Sequence, residues 1–232
     1  MKHRLQLQSY TKNCTSSTMV KHNKKSKRAI KNSSVHSNYE EDHDESNTYN
    51  SEYNPHSNQN LSTTEQESFH FFWQQGSPFS QWHSSTFTLD GVTYVNAEQG
   101  MMHGKALLFQ DDEAAESILL ARGPGQMKAL GRSVRGFKES TWKKHRLELV
   151  YRNNVAKFTQ NPHLKIALLS TTGMLVEASP SDAIWGIGLH EGEAKIMDPS
   201  RWPGLNLLGK TLTKVRRDIQ MQENEEHDQL EM

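Results

Sequence analysis

The 232-residue chain has one cysteine, Cys14, so it can form no internal disulfide and no cluster of thiolates around a metal. That usage fits a reducing compartment, and a cytoplasmic or nuclear location is expected. No apolar run approaches the roughly 20 residues of a membrane helix, and no signal-peptide core is present, so no membrane partner is expected. The histidines His70, His83, His103, His145, His163 and His190 are scattered without ligand spacing. No metal site is expected from them. A phosphate-cradling Walker loop, a dinucleotide glycine fingerprint and a Gly-x-Ser-x-Gly elbow are all missing. Those absences argue against nucleotide triphosphatases, nicotinamide enzymes and serine hydrolases, and no cofactor is expected.

Net charge is also missing, because Lys and Arg balance Asp and Glu at 27 each, but the charges are segregated. Residues 1–39 hold nine Lys or Arg and no acid, and residues 40–67 hold eight acids and no Lys or Arg. From Gln220 onward there are five acids and no Lys or Arg. All five Trp and all eight Phe fall between these flanks. The expected organisation is a disordered low-complexity tail over 1–67, one domain over 68–219, and an acidic disordered tail over 220–232. The basic cluster Lys21–Arg28 suits a nuclear address or a contact to nucleic-acid phosphates, and reads equally as a solvated basic run.

Within the domain, Phe69–Trp73 is a dense apolar run that predicts a buried strand. Phe87–Val95 alternates β-formers about Asp90-Gly91, the signature of a hairpin with a type I′ turn. Asn96 caps a helix to about Phe109, with Gln99 placed as in a capping box. Asp111 starts a second helix through Leu120, and Pro124 a third carrying Met127 and Leu130. A long helix follows from about Thr141 to Phe158, and another from Asn161-Pro162 to Gly173. Met174–Val176 makes a strand, the stretch after it strand and loop, and the last helix begins near Asn206. The sum is a mostly helical α+β domain with a small β-sheet and hairpin, the sheet formed from the N-terminal strands and the Met174 strand.

The chemistry-bearing residues gather in Leu175–Gly188, which holds Glu177, a turn at Ser179-Pro180-Ser181, Asp182, Trp185, Gly186 and Gly188. Pro180 fixes one φ, and the glycines allow close backbone approach. This suits a rim where a planar ligand stacks on Trp185 while carboxylates face its sugar. It reads equally as a tight turn with surface acids and a core Trp. Glu98, Met102, Lys105 and Phe109 share one face of the first helix. Glu98 sits in the first turn, where free backbone N–H groups and the positive dipole end favour its ionised form. Arg132 has the planar fork that grips phosphate, and Lys157 stands near the end of a helix, where it also offsets the dipole.

At these residues the chain resembles the NADAR family, also called YbiA-like. The likeness runs through S-P-F-S-Q-W-H (Ser77–His83), A-E-Q-x-M-M-x-x-K-A (Ala97–Ala106) and L-G-R (Leu130–Arg132). It continues through N-x-A-K-F-x-Q-N (Asn154–Asn161), L-V-E-A-S-P-x-D-x-I-W-G-I-G (Leu175–Gly188), W-x-G-x-N-L-L-G (Trp202–Gly209) and Val215-Arg216. It departs at Asn153, where the family pattern has Gly. The resemblance implies a helical α+β fold and metal-independent hydrolysis of the bond between ribose and a base. The implied substrates are ADP-ribosylated guanine or ribosylamino-pyrimidine phosphates of the riboflavin pathway. Under that reading Glu98, Asp182 and Glu177 are the catalytic carboxylates, and Lys105 is an amine able to form an imine with an opened ribose. Trp185 and Trp82 stack or border the base, Arg132 and Lys157 hold phosphates, and Gly186 and Asn206 complete the substrate contacts. The rival reading is a non-catalytic module that binds ADP-ribose or a nucleotide in the same cleft.

Overall fold

A computed structural model describes residues 68–230. The basic cluster and the acidic block within 1–67 lie outside the described residues, as does the expectation of disorder there. Four strands and seven helices follow in the order β1 (Phe69–Phe72), β2 (Phe87–Leu89), β3 (Val92–Tyr94), α1 (Ala97–Leu108), α2 (Asp112–Leu119), α3 (Pro124–Arg132), α4 (Glu139–Gln160), α5 (Pro162–Leu169), β4 (Met174–Glu177), α6 (Glu191–Ile196) and α7 (Leu207–Leu230). The mostly helical α+β reading holds.

The hairpin forms as its turn chemistry dictates. Asp90 at φ 52° and Gly91 at φ 80° are both left-handed, as a type I′ turn requires, and Phe87 faces Tyr94 across β2 and β3. The single small sheet expected from the sequence is instead two. β2 pairs only with β3, while β1 runs parallel to β4, with Phe69 opposite Met174 and Phe72 opposite Glu177. The hairpin closes on local contacts and packs Phe87 and Tyr94 on Ala97 and Ala156, so it needs no neighbour strand.

Asn96 caps α1 as expected, its Oδ1 accepting from the Gln99 N–H at 2.9 Å. Gln99 does not close the expected capping box, because its side chain reaches one residue past the cap. Its Oε1 accepts from the Val95 N–H, and its Nε2 donates to the Ile118 and Leu119 carbonyls at the end of α2. One buried amide thus fastens the start of α1 to the finish of α2. The main core lies among α1, α3, α4 and α7, with Met102, Met127, Phe158, Leu175 and Leu212 buried in it. A second cluster of Val176, Ala178, Ile187 and Ala194 backs β4 and the turn that follows it.

Two segments differ from the sequence reading. Glu191–Ile196 is helical rather than loop, because Glu193 accepts from the His190 N–H and completes a capping box too short to show a period. The acidic stretch from Gln220 is helical up to Leu230 rather than disordered. Extending a docked helix costs little per residue, Glu and Gln are good helix formers, and Lys165 ion-pairs with Glu223 at 2.5 Å. No helix among the described residues is long and apolar enough to cross a membrane.

Candidate active site

Three carboxylates from three segments converge. Glu98 comes from the first turn of α1, Glu177 from the end of β4, and Asp182 from the turn after it. The segment Ser77–His83 docks on the start of α1, where the Glu98 N–H donates to the Gln81 carbonyl at 2.9 Å. That brings the Trp82 side chain within hydrogen-bonding reach of the Glu98 carboxyl. Glu98 is only 3% exposed, and its Oε1 is buried with no partner among the described residues. Glu177 is in the same condition at Oε2. Asp182 is anchored differently. Its Oδ1 accepts from the Ile184 and Trp185 N–H groups at 3.0 and 2.8 Å, and its Oδ2 lies 3.7 Å from the Lys128 ammonium.

Burial dominates the electrostatics. It pushes Glu98 up to about 7, with the Asp182 charge adding to the rise and Lys128, Trp82 and Arg132 opposing it. Burial, then the Asp182 and Glu98 charges, push Glu177 up to about 8 against Lys128. The expectation that the helix start keeps Glu98 ionised is therefore overturned. Desolvating a carboxylate this deeply costs more than a dipole end returns.

Lys105 lies further along the same face of α1, beyond the buried Met102. Its ammonium sits 4.2 Å from the Phe137 ring and 5.4 Å from Trp142. Burial lowers its pKa, with Arg132 lowering it further and Glu139 opposing. Arg132 is exposed, acts on both Glu98 and Lys105, and makes no ion pair with the described residues. It is thus the cation shared by the carboxylate cluster and the lysine.

Three residues proposed from sequence as substrate contacts have other duties. Lys157 is fully buried, and its ammonium donates to the Pro78 and Ser80 carbonyls at 2.7 and 2.9 Å. It clamps the Ser77–His83 segment and is sealed from any phosphate, while burial pushes it down to about 7. Asn206, at φ 51°, accepts from the Glu177 N–H and donates to the Leu175 carbonyl, so it holds β4 in place. Gly186 leaves its side-chain space to the protein itself. A Cβ there would stand 2.7 Å from the Glu177 carbonyl and 2.9 Å from that of Asp182. Trp185 and Trp82 are half-buried, Trp185 packed against the main core and Trp82 beside Glu98.

Lys128 escaped the sequence reading. Its signal was its spacing of four residues before Arg132 on α3, which places both cations on one face. The departure at Asn153 lies elsewhere. Asn153 packs on Gly100, where a Cβ would meet its Oδ1 at 2.1 Å. It borders a cavity of about 330 Å³ between α1, α4 and the hairpin, away from the carboxylates. Among the described residues, no three His, Cys, Asp or Glu side chains are grouped to hold a metal ion.

A helical α+β domain with a buried acid cluster at one end of α1 defines the class, and the NADAR domain model matches residues 71–220. The chain belongs to the NADAR family, and with it stands among hydrolases acting on N-glycosyl compounds. An N-glycosidase of Acanthamoeba polyphaga mimivirus is 46% identical over 148 residues, covering 61% of this chain and 87% of that protein. The chloroplastic riboflavin biosynthesis protein PYRR of Zea mays is 38% identical over 115 residues, 47% of this chain but only 17% of that protein. The solved structure of the E. coli protein YbiA superposes with a TM-score of 0.57 at 24% identity, covering 69% of this chain and 89% of that one. That likeness shows the fold.

Proposed function

We propose that the chain hydrolyses the C1′–N bond between a phosphorylated ribose and its base, and that the substrate is ADP-ribosylated guanine or a ribosylamino-pyrimidine phosphate of the riboflavin pathway. The observation that carries this reading is the pair of carboxyls beside Asp182, each with one buried, unpartnered oxygen, pushed up to about 7 and about 8. At neutral pH such a pair holds one proton more readily than none or two. Glu177, the weaker acid, donates its proton to the departing nitrogen. Glu98, ionised, faces the positive charge that builds on the ribose and accepts a proton from the water that adds to C1′. Bond order and charge balance in that step, and no metal enters it.

Lys105 offers a second route to the same products. Its neutral amine attacks C1′, the base leaves, and the opened sugar is held as an imine until water releases it. Burial and the neighbouring Arg132 favour the neutral amine that attack requires, against Glu139 and the two cation–π contacts, which favour the ammonium. Arg132 grips the phosphate, and Trp185 and Trp82 border the base. The riboflavin-pathway arm takes support from the maize relative's name, which says riboflavin biosynthesis, and the N-glycosidic bond from the mimivirus relative's. The Lys21–Arg28 cluster is read as a contact to nucleic-acid phosphates when the base belongs to a polynucleotide.

Turnover tests the reading. ADP-ribosylated guanine DNA and a ribosylamino-pyrimidine phosphate, each in large excess over protein, are followed for release of free base and sugar. Many turnovers per chain on either compound are expected. Stoichiometric binding without release sinks the hydrolase and supports a binding module. Borohydride added during turnover divides the routes: an adduct at Lys105, absent in Lys105→Arg, establishes the imine.

A further inference from the structure

The cluster of Glu98, Glu177 and Asp182 brings three acids together at a largely buried site, and such a group is unstable without a cation. The side chains facing it come from every neighbouring element. α1 gives Glu98, β4 gives Glu177, the following turn gives Asp182, the Ser77–His83 segment gives Trp82, and α3 gives Lys128 and Arg132. Lys105 lies beyond Arg132, and Lys157 is spent on the Pro78 and Ser80 carbonyls. Of the two cations on α3, only Lys128 acts on all three acids. Its ammonium lies 3.7 Å from Asp182 Oδ2 and opposes the rise in both glutamates, whereas Arg132 acts on Glu98.

The backbone of α3 makes this placement rigid. Met127 is fully buried in the main core. At Gly131 an added Cβ would fall 2.0 Å from Met102 Sδ, so α3 lies directly on α1. A lysine between these two anchors has its Cα fixed relative to the helix that carries Glu98. Its contact with Asp182 spans from α3 to the turn after β4.

We infer that Lys128 is a positioning residue for the charge of this cluster: it pins Asp182 and sets how many protons Glu98 and Glu177 share when the glycosidic bond breaks. The inference rests on the N-glycosidase reading, and it adds a role for a residue that touches acids rather than substrate. A lysine that merely gripped substrate phosphate would leave the acids as they are. So would a surface lysine with no role, and at 38% side-chain exposure Lys128 is open enough for substitution without collapse.

Two measurements on the full chain test it. The first is the titration of the Glu98 and Glu177 side-chain carboxyls by carbon-13 NMR without substrate, in wild type, Lys128→Met and Lys128→Arg. The second is the pH profile of base release by the same three proteins. Removing an opposite charge that faces a buried carboxyl raises it, by about one pH unit or more for a close pair. Lys128→Met is expected to move both midpoints up by that amount and to carry the acidic limb of kcat/KM with them. Its kcat at pH 7 then falls about tenfold. Lys128→Arg restores midpoints and profile together. Unmoved midpoints in Lys128→Met overturn the inference, and so does a raised KM with an unmoved pH profile. Midpoints that move in a chain whose wild type releases no base uphold the hold on the cluster and sink the N-glycosidase reading instead.

Discussion

Glu98 ionises near 4.5 in an unfolded chain and near 7 in the fold. The folded chain therefore keeps a proton that the unfolded chain loses across that window, and stability falls as pH rises from about 4.5 through 7. Glu98→Gln removes the penalty. It is expected to raise Tm at pH 8 by about 4–8 °C, on the order of 2 kcal/mol, and to give no gain at pH 5. Turnover should fall by about a hundredfold or more in the same variant. A calorimetric scan at the two pH values and one rate measurement check both halves. Lys157 gives the opposite pattern. Lys157→Met leaves the Pro78 and Ser80 carbonyls unpaired, and a loss of about 2–4 kcal/mol is expected in denaturant titration. The KM of the folded fraction should stay put, whereas Arg132→Ala should raise it. Sequence reasoning named Glu98, Glu177, Asp182 and Lys105 because carboxylates and an amine at those spacings are visible as residue types. It misjudged Glu98's charge and Lys157's duty because burial is not written in any spacing. A lysine near a helix end looks the same whether its ammonium meets solvent or two carbonyls.

Each element was legible where its signal was local. The Asp90-Gly91 turn, the Asn96 cap and the Pro124 and Pro162 helix starts are decided within three or four residues, and all appear where expected. The sheet of the N-terminal strands with the Met174 strand holds for β1, which pairs with β4 about a hundred positions on, but not for the hairpin, because no periodicity says which strand edges meet. Close contacts between elements were equally silent. Gly186 reads as a ligand-facing glycine, yet its space is taken by the Glu177 and Asp182 carbonyls. Gly186→Ala is therefore expected to displace the carboxylate-bearing turn. Activity should be lost together with some of the thermal stability, and a fall in kcat with unchanged Tm would argue for direct substrate contact instead. At the other end, α7 past Gln220 is exposed and held to the body by the Lys165–Glu223 pair. A surface pair of this kind contributes about 0–1 kcal/mol. A chain ending at Gln220 should melt within about 2 °C of the full length and keep its turnover.

Over the whole molecule, charge is divided between a domain that holds the candidate site and a basic run near the start of the chain. If that run contacts polynucleotide phosphates, deleting residues 1–39 should weaken binding to ADP-ribosylated DNA and flatten its salt dependence, leaving turnover of a small ribosyl phosphate unchanged. An unmoved salt slope rejects the role. The order in which the chain is made bears on the site as well. Glu98 is synthesised early, but Glu177 is fixed by the Asn206 side chain, and Leu175 by Thr213 from α7. Upstream, β1 holds β4 along its other edge but supplies neither of those two bonds. A ribosome that has completed β4 but not the start of α7 carries a nascent chain whose acids are present and unassembled. The site is therefore expected to assemble only once Asn206 and Thr213 have been made, and a message broken before codon 206 is expected to yield a protein without activity rather than one with less.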